Sequence, residues 1–216
     1  MKKHPKTRLA ALALAAALVG SLFLSACGQQ ETQTADQTQS DTDQAVNVNY
    51  GISNPWDSLM PYYSVSGSNY SRIIYDKIYD RLAYVQPDGT CLPRAAASWE
   101  SAEDGYAILF HLDEKAAFHD GTPVTAQHWV DTLTLITNPD CPILGRGTFA
   151  CLTGTDDEGA VQAGEKLGAE AVDNYTLKLT FKNPVVPEEF LVDKNREIYV
   201  LPTHLLQDIA PADLVT

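Results

Sequence analysis

The chain has few of the residues and none of the short motifs that carry the commonest enzyme chemistry. Its 216 residues include four cysteines and five histidines, and they contain no Gly-x-Ser-x-Gly, His-Glu-x-x-His or phosphate-binding glycine loop. His111, His119 and His128 lack the i, i+4 pairing of a helical zinc site. We therefore expect no catalytic residue, no metal site and no cofactor.

Basic side chains are also scarce. Fifteen lysines and arginines face 28 aspartates and glutamates, which gives a net charge of −13. Without the four basic residues among the first eight, the charge is about −17. A nucleic-acid-binding protein needs a basic face, and an anionic membrane surface attracts basic segments, so we expect neither kind of partner to be held by charge.

Long apolar runs are limited to residues 9–23, which directly follow the basic start. A run of about 15 residues suits a secretory signal better than a membrane-spanning helix, which needs about 20. The run ends in Leu24-Ser25-Ala26-Cys27, which resembles the lipobox of bacterial lipoproteins. We expect residues 1–26 to be a lipoprotein signal peptide and Cys27 to carry the lipid. An ordinary export signal with an incidental cysteine is the alternative.

Residues 27–46 have the composition of a tether. Gly28 to Ala45 contain no aromatic or basic residue and are rich in Gln, Thr, Asp and Ser. Such a stretch cannot bury enough apolar surface to offset its ordering entropy, so we expect disorder between a lipid anchor and a folded body. The predicted location is extracytoplasmic, on the outer face of the cytoplasmic membrane or in the periplasm.

Periodic patterns predict a mixed α/β body. Strands are expected at residues 46–52, 106–112 and 175–181, where apolar and polar residues alternate. Trp56 to Gly67 has no period and is predicted to be a loop. Pro87 to Thr90 and Asp120 to Pro123 are turn sequences, and residues 201–209 suggest a short helix. Two longer helices are also predicted. The first has Tyr70, Ile73, Ile74, Ile78 and Leu82 on one face, with Ser66 or Ser68 as its cap. The second has Trp129, Val130, Leu133 and Ile136 on one face, begins at the cap Thr125 and ends by Asn138.

Two further details concern the helix cap and the cysteines. His128 stands three places after the cap Thr125, where a capping box has a carboxylate, so that carboxylate is absent. Apart from Cys27 there are three cysteines, an odd number for an exported protein. Cys141 and Cys151 bracket a loop with Pro142, Gly145 and Gly147, and they either pair or remain buried free thiols.

Several separate segments resemble the solute-binding proteins of the dipeptide and oligopeptide importer family. The most specific is Phe118-His119-Asp120-Gly121-Thr122-Pro123-Val124-Thr125-Ala126, which follows Ala97-Ser98-Trp99-Glu100 and the strand through Phe110-His111-Leu112. Further matches are Leu82 to Gly89 ahead of Leu92-Pro93, and Val172 to Phe181 ahead of Pro184.

The resemblance implies a periplasmic-binding-protein-like type II fold of two mixed α/β lobes. Members of the family are about twice this long or more, so residues 47–216 are expected to be a truncated N-terminal part of the solute-binding domain. In that reading only the first lobe and an inserted subdomain, at about residues 83–168, are present.

The resemblance also implies capture of extracellular peptides for delivery to ABC permease subunits in the membrane, by a monomer. It places a contact with the ligand backbone in the loop after the first strand, at Tyr63, Ser64, Val65, Ser66 and Gly67. Trp56, Tyr62 and Tyr70 could line the same cleft, although each is individually more typical of core or surface. His119 and Asp120 could in principle serve acid–base or metal chemistry, but in the family their segment is a structural turn.

Other functions remain compatible with the same residues. Relatives of this fold bind nickel complexes, haem or sugars, and the chain could be a non-binding truncated remnant. A surface lipoprotein enzyme, such as a peptidase, is the alternative from a different class and would need a nucleophile and base in one pocket.

Overall fold

Three α-helices and two antiparallel sheets make up the described part of the computed structural model, which covers residues 48–55, 58–63 and 69–214. In chain order the elements are α1 (Asn69–Tyr75), β1 (Ala83–Val85), β2 (Cys91–Pro93), β3 (Ala96–Ala102), β4 (Ala107–Leu112), α2 (Ala126–Thr137), β5 (Ala169–Ala171), β6 (Thr176–Thr180) and α3 (Pro187–Lys194). The predicted mixed α/β class is confirmed.

The larger sheet carries the core on one face. Its strand order is β3-β4-β6-β5, and every neighbouring pair is antiparallel. Phe110 lies opposite Leu177 and Ile108 opposite Leu179, so these four buried side chains share one face. Each such side chain contributes about 1.5–3 kcal/mol by leaving water.

Helix α2 covers part of this sheet by packing against β5 and β6. Trp129, Leu133 and Ile136 fall on its buried face, as their spacing predicts, whereas Val130 is only partly buried. The helix ends at Thr137, and Asn138 turns to extended geometry with ψ 129° because Pro139 disfavours helical geometry before it. The predicted end of this helix is therefore confirmed.

The cap of α2 uses an imidazole in place of the usual carboxylate. Thr125 is the N-cap, with extended geometry, and the Nδ1 atom of His128 accepts a hydrogen bond from the Thr125 backbone N–H at 3.1 Å. The carboxylate is absent, but the capping interaction is not, because a neutral imidazole nitrogen offers the same acceptor.

Strands β1 and β2 form a separate hairpin whose turn was predicted. Gly89 has φ +87°, the left-handed region that glycine tolerates, and an oxygen of Asp88 accepts from the Thr90 N–H at 2.9 Å. Helix α3 packs against this hairpin and against β3, and its Phe190 contacts Phe181 with ring centroids 5.0 Å apart.

The predicted strand at residues 46–52 is wrong over the part that the structure describes. Residues 48–52 form no strand, and the side chain of Tyr50 is 67% exposed. Alternation records a preference for a pleated surface, but a strand forms only where a neighbour supplies hydrogen bonds.

The helical stripe predicted from Tyr70 to Leu82 is partly wrong. Helix α1 ends at Tyr75, and its buried residues are Ser71 and Tyr75 rather than the isoleucines. Ile78 is 42% exposed, and Leu82 is fully buried but beyond the helix. The buried face of α1 carries a polar contact, since the Ser71 hydroxyl accepts from the Ser58 N–H. The cap candidates Ser66 and Ser68 lie outside the described residues.

Other elements escape the sequence patterns. Strands β3 and β5 were not predicted, and neither was α3, since a proline usually interrupts a helix. Pro187 instead occupies the first turn of α3, where its missing N–H costs nothing. The helix expected at residues 201–209 is reduced to 3₁₀ turns such as Thr203–Leu205.

The three described cysteines, Cys91, Cys141 and Cys151, are free thiols. Of the two alternatives for Cys141 and Cys151, the structure therefore has unpaired thiols. Cys141 is fully buried, and burial raises the pKa of its thiol, which keeps it protonated and unreactive.

Candidate functional site

The loop predicted to contact a ligand lies mostly outside the described residues. Ser64, Val65, Ser66 and Gly67 are in the undescribed stretch, and Trp56 is as well. Tyr63 is described: it is half-buried, and its backbone N–H donates to the Met60 carbonyl at 3.1 Å. Residues on both sides of the loop contact each other and a buried segment further along the chain. We call Tyr62, Ser71 and residues 198–201 the frame of the loop.

Tyr62 fixes the start of the loop. Its hydroxyl donates to the Tyr199 carbonyl at 2.6 Å and accepts from the Tyr199 backbone N–H at 2.7 Å. The side chain is 5% exposed, and burial raises its pKa far above the usual value. The phenol therefore stays neutral and keeps both roles. Tyr62, which the sequence offered as a possible cleft residue, is a structural clamp.

Helix α1 fixes the end of the loop. The buried hydroxyl of Ser71 accepts from the Ser58 backbone N–H at 3.3 Å, which joins the segment before the loop to the helix after it. The next residue, Arg72, pairs with Glu197 at 2.9 Å. Tyr70 lies within hydrogen-bonding distance of Ser53. The loop ends are thus tied to each other and to the chain around Tyr199.

Residues 198–201 form the spine of this frame. All four are buried, and their backbone groups are satisfied by three separate elements. Tyr199 pairs with Tyr62, the Val200 N–H donates to the Asp80 carbonyl at 3.2 Å, and the Leu201 N–H donates to the Thr132 hydroxyl at 3.0 Å. Buried backbone must find partners, so this spine cannot move without breaking several contacts together.

The Tyr199 side chain extends the frame into a charged cluster. Its hydroxyl donates to Asp76 at 2.7 Å and accepts from Arg81, which also pairs with Asp76. The Arg81 guanidinium carbon lies 4.7 Å from the Tyr199 ring centroid. Burial raises the pKa of Tyr199 as well. These contacts join Asp76 and Arg81 to the Tyr199 side chain and so help to hold the backbone of the spine.

The turn at Asp120, the other candidate from the sequence, is structural as expected. Gly121 has φ +87°, and one Asp120 oxygen accepts from the Thr122 N–H at 2.9 Å. The other oxygen meets the His204 Nε2 at 2.8 Å, a contact that nothing in the local sequence indicates. These bonds, that to His204 first, lower the pKa of Asp120 to about 2. His119 is exposed beside them.

Residues 48–55, 58–63 and 69–214 contain no group of three or more His, Cys, Asp or Glu side chains placed to hold a metal ion. His111, for example, faces Glu100 at 3.4 Å without a third ligand. Within the same ranges no helix has the length and apolar character needed to cross a membrane.

Comparisons with known proteins converge on one family. The model for "Bacterial extracellular solute-binding proteins, family 5 Middle" matches residues 90–213. The chain is 32% identical over 134 residues to the periplasmic oligopeptide-binding protein OppA of Escherichia coli K12, covering 59% of this chain and 24% of OppA. It is 31% identical over 112 residues to the periplasmic murein peptide-binding protein MppA of the same strain, covering 50% of this chain and 20% of MppA.

A solved structure agrees with these relatives. The structure of the Escherichia coli murein tripeptide binding protein MppA superposes with a TM-score of 0.59 and 25% identity, over 71% of this chain and 30% of that one. The fold thus matches part of a periplasmic binding protein. This chain spans about a quarter of the length of the curated relatives it matches.

Proposed function

Because this chain belongs to family 5 of the bacterial extracellular solute-binding proteins, we propose that it is part of the peptide-binding component of an ABC importer. In this role it captures extracellular peptides and delivers them to permease subunits in the membrane, without catalysis. The observation that carries the proposal is the frame around residues 64–68, whose two ends are held by Tyr62 and Ser71. The peptide-binding relatives support the choice of ligand class.

Backbone pairing is the proposed mode of recognition. A bound peptide presents N–H and C=O groups whatever its sequence, and an extended loop offers the same groups in return. Fixing both ends of the loop lowers the ordering cost of binding, because the frame is rigid before the ligand arrives. We place the peptide contact at Tyr63 to Gly67.

The remainder of the mechanism follows the two-lobed design. A second lobe closes over the peptide by hinge motion, and the closed form docks on the permease. Within this chain, residues 47–216 supply the first lobe, and about 83–168 form its inserted subdomain. The protein acts as a monomer.

We further propose that Cys27 anchors the mature protein to the outside of the membrane. Its position after Leu24-Ser25-Ala26 and before a polar stretch supports acylation at this residue. Mass spectrometry of the membrane fraction should find a diacylglyceryl-modified N-terminal Cys27. A soluble form that is cleaved elsewhere and keeps an unmodified Cys27 would refute the anchor, without bearing on peptide binding.

The peptide contact is tested by two substitutions at one residue, in a chain extended through the downstream reading frame. Val65→Pro removes a backbone N–H and restricts the loop, whereas Val65→Ala removes only the side chain. We expect the first to weaken peptide binding about tenfold or more in calorimetry, and the second to change it less than about threefold. Equal effects of both variants would contradict recognition through the loop backbone.

A further inference from the structure

A second concave site lies away from the proposed peptide loop. A cavity of about 340 Å³ opens between the segment after α1, the turn at residues 117–124, and the chain that follows the spine at residues 200–205. This volume is at the lower end of the range for small-molecule pockets, so it takes one compact group rather than a peptide.

The walls of the cavity are apolar and partly pre-arranged. Phe118 and Tyr79 supply aromatic surface, and Val124 closes the inner side. The Phe118 ring is held from behind by two imidazoles, with centroids 4.9 Å from His128 and 5.0 Å from His204. A wall fixed in this way keeps its shape without a ligand.

The rim of the cavity leaves apolar surface uncovered. Leu205 is 64% exposed and Ile78 is 42% exposed, and both line the opening. Apolar side chains that border a pocket gain by being covered, at about 25 cal/mol per Å². An occupant with an apolar body would bury them together with the ring of Phe118.

The charged side chains at the cavity favour an occupant with a positive charge. Asp80 and Asp120 both line it, and no lysine or arginine does. One oxygen of Asp80 accepts from the Arg81 N–H and pairs with Arg94, while the second oxygen has no hydrogen-bond partner among the described residues. Asp120 is bound to Thr122 and His204 but keeps its negative charge. His119 also lines the cavity and would oppose a cation only when protonated.

We propose that this cavity is a binding site for a small amine with an apolar, preferably aromatic, body. The body lies against Phe118 and the aliphatic rim. The ammonium group donates to the second oxygen of Asp80 and stands near Asp120 and the aromatic faces, where a cation is favoured. An anion of the same shape is repelled by both carboxylates. This site is independent of the peptide contact proposed above.

Three probes of similar size test the charge selection: 2-phenylethylamine, 2-phenylethanol and phenylacetate, titrated at about pH 8, where the amine is protonated and phenylacetate is ionised. Ligand-observed NMR on the full chain follows binding. We expect the dissociation constant of the amine to be at least about tenfold lower than that of the alcohol, because the charged hydrogen bond is the only difference. We expect phenylacetate to bind more weakly than either.

Two variants locate the site. Ala117→Phe places a ring in the cavity from its exposed edge, and Ala97→Phe on exposed β3 adds the same ring elsewhere. Asp80→Asn removes the charge, with exposed Asp157→Asn as its control. We expect Ala117→Phe to abolish amine binding, Asp80→Asn to bring amine and alcohol within about threefold of each other, and both controls to bind as the wild type.

The outcomes that overturn the proposal are equally definite. Equal affinity for the three probes, absence of amine binding, or amine binding that survives Ala117→Phe would each refute it. Asp80→Asn also breaks the pair with Arg94, so thermal melting should accompany it. If that variant does not fold, Ala117→Phe decides the question alone.

Discussion

At the scale of single residues, His128 performs a task usually given to glutamate. Its Nδ1 can accept from the Thr125 N–H only when that nitrogen carries no proton, so the cap requires a neutral ring. Burial lowers the pKa of His128, and the neighbouring His204 lowers it further, while Asp131 and Asp120 act in the opposite direction. The fold therefore favours the uncharged form that the cap needs.

This cap should fail in acid. Because the folded pKa of His128 lies below its reference value of 6.5, the unfolded chain binds the proton more readily. The stabilisation is complete above the reference value and is lost as the pH falls through the lower folded pKa. His128→Gln keeps an acceptor that does not titrate. We expect the wild type to lose more free energy of unfolding than His128→Gln between about pH 7.5 and pH 5 in urea titrations.

His119→Gln is the matched control, because His119 is exposed, caps no helix and forms no ion pair with the described residues. It should leave the difference between the two pH values as in the wild type to within about 0.5 kcal/mol. A wild type and a His128→Gln variant with parallel pH profiles would show that the imidazole cap contributes nothing.

Gly168 is a residue whose missing side chain matters for packing. A Cβ there would stand 2.3 Å from the Thr180 carbonyl oxygen and 2.4 Å from the Thr153 hydroxyl. Two backbone hydrogen bonds hold Gly168 in place. Its N–H donates to the Thr153 carbonyl at 2.8 Å, and its carbonyl accepts from the Thr180 N–H at 2.9 Å. Gly168→Ala should lower the free energy of unfolding by about 2–3 kcal/mol, because the backbone at Gly168 must move away from Thr180 and Thr153.

Gly147→Ala is the control for this substitution. A Cβ at Gly147 meets nothing within 4 Å, so we expect a change of about 0.5 kcal/mol or less. Similar unfolding midpoints for the two alanine variants would contradict the close approach at Gly168.

At the scale of elements, the turn between β3 and β4 carries backbone strain. Glu103 and Asp104 both have positive φ, 52° and 53°, which costs an L-residue about 1–2 kcal/mol. Glu103 gains a pair with Lys178, whereas Asp104 is exposed. Asp104→Gly should raise the unfolding free energy by up to about 1 kcal/mol, since glycine adopts this conformation freely, although its unfolded chain is more flexible.

Asp104→Ala separates strain from charge. It removes the carboxylate but keeps the Cβ, so it should not stabilise the turn. If alanine stabilised as much as glycine in thermal melts, relief of negative charge rather than of strain would be the cause.

The elements also show where sequence reasoning succeeds. Strand β6 and helix α2 were predicted because their apolar residues recur with the period of a strand or a helix over a short stretch of sequence. Leu177, Leu179 and Trp129 are therefore recognisable as core residues from their neighbours in the sequence. The frame around the loop could not be predicted, because Tyr62 and Tyr199 are 137 positions apart. The pair of Asp120 and His204, 84 positions apart, is hidden for the same reason. The prediction for residues 48–52 was wrong for the opposite reason: the alternating pattern is present, but no strand among the described residues pairs with it.

At the scale of the molecule, the described residues flank the loop that we propose as the peptide contact. The frame of Tyr62, Ser71 and residues 198–201 is complete within this chain. Apolar side chains nevertheless remain exposed on this body, among them Val186 at 49% and Val192 at 45%. Such surface favours association unless something covers it.

The last prediction concerns peptide affinity of the 216-residue chain by itself. A cleft ligand is held because about 70–90% of its surface leaves water, which requires walls on both sides. Under the proposed function, a chain that spans 24% of the length of OppA would supply only one wall and part of the hydrogen-bond set. Calorimetry with a mixed-peptide library should therefore detect no micromolar binding by this chain. A longer chain that carries both lobes should bind peptides, and its Val65→Pro variant should bind them about tenfold or more weakly. Micromolar binding by the shorter chain would show that one lobe is enough and that closure is not the source of affinity.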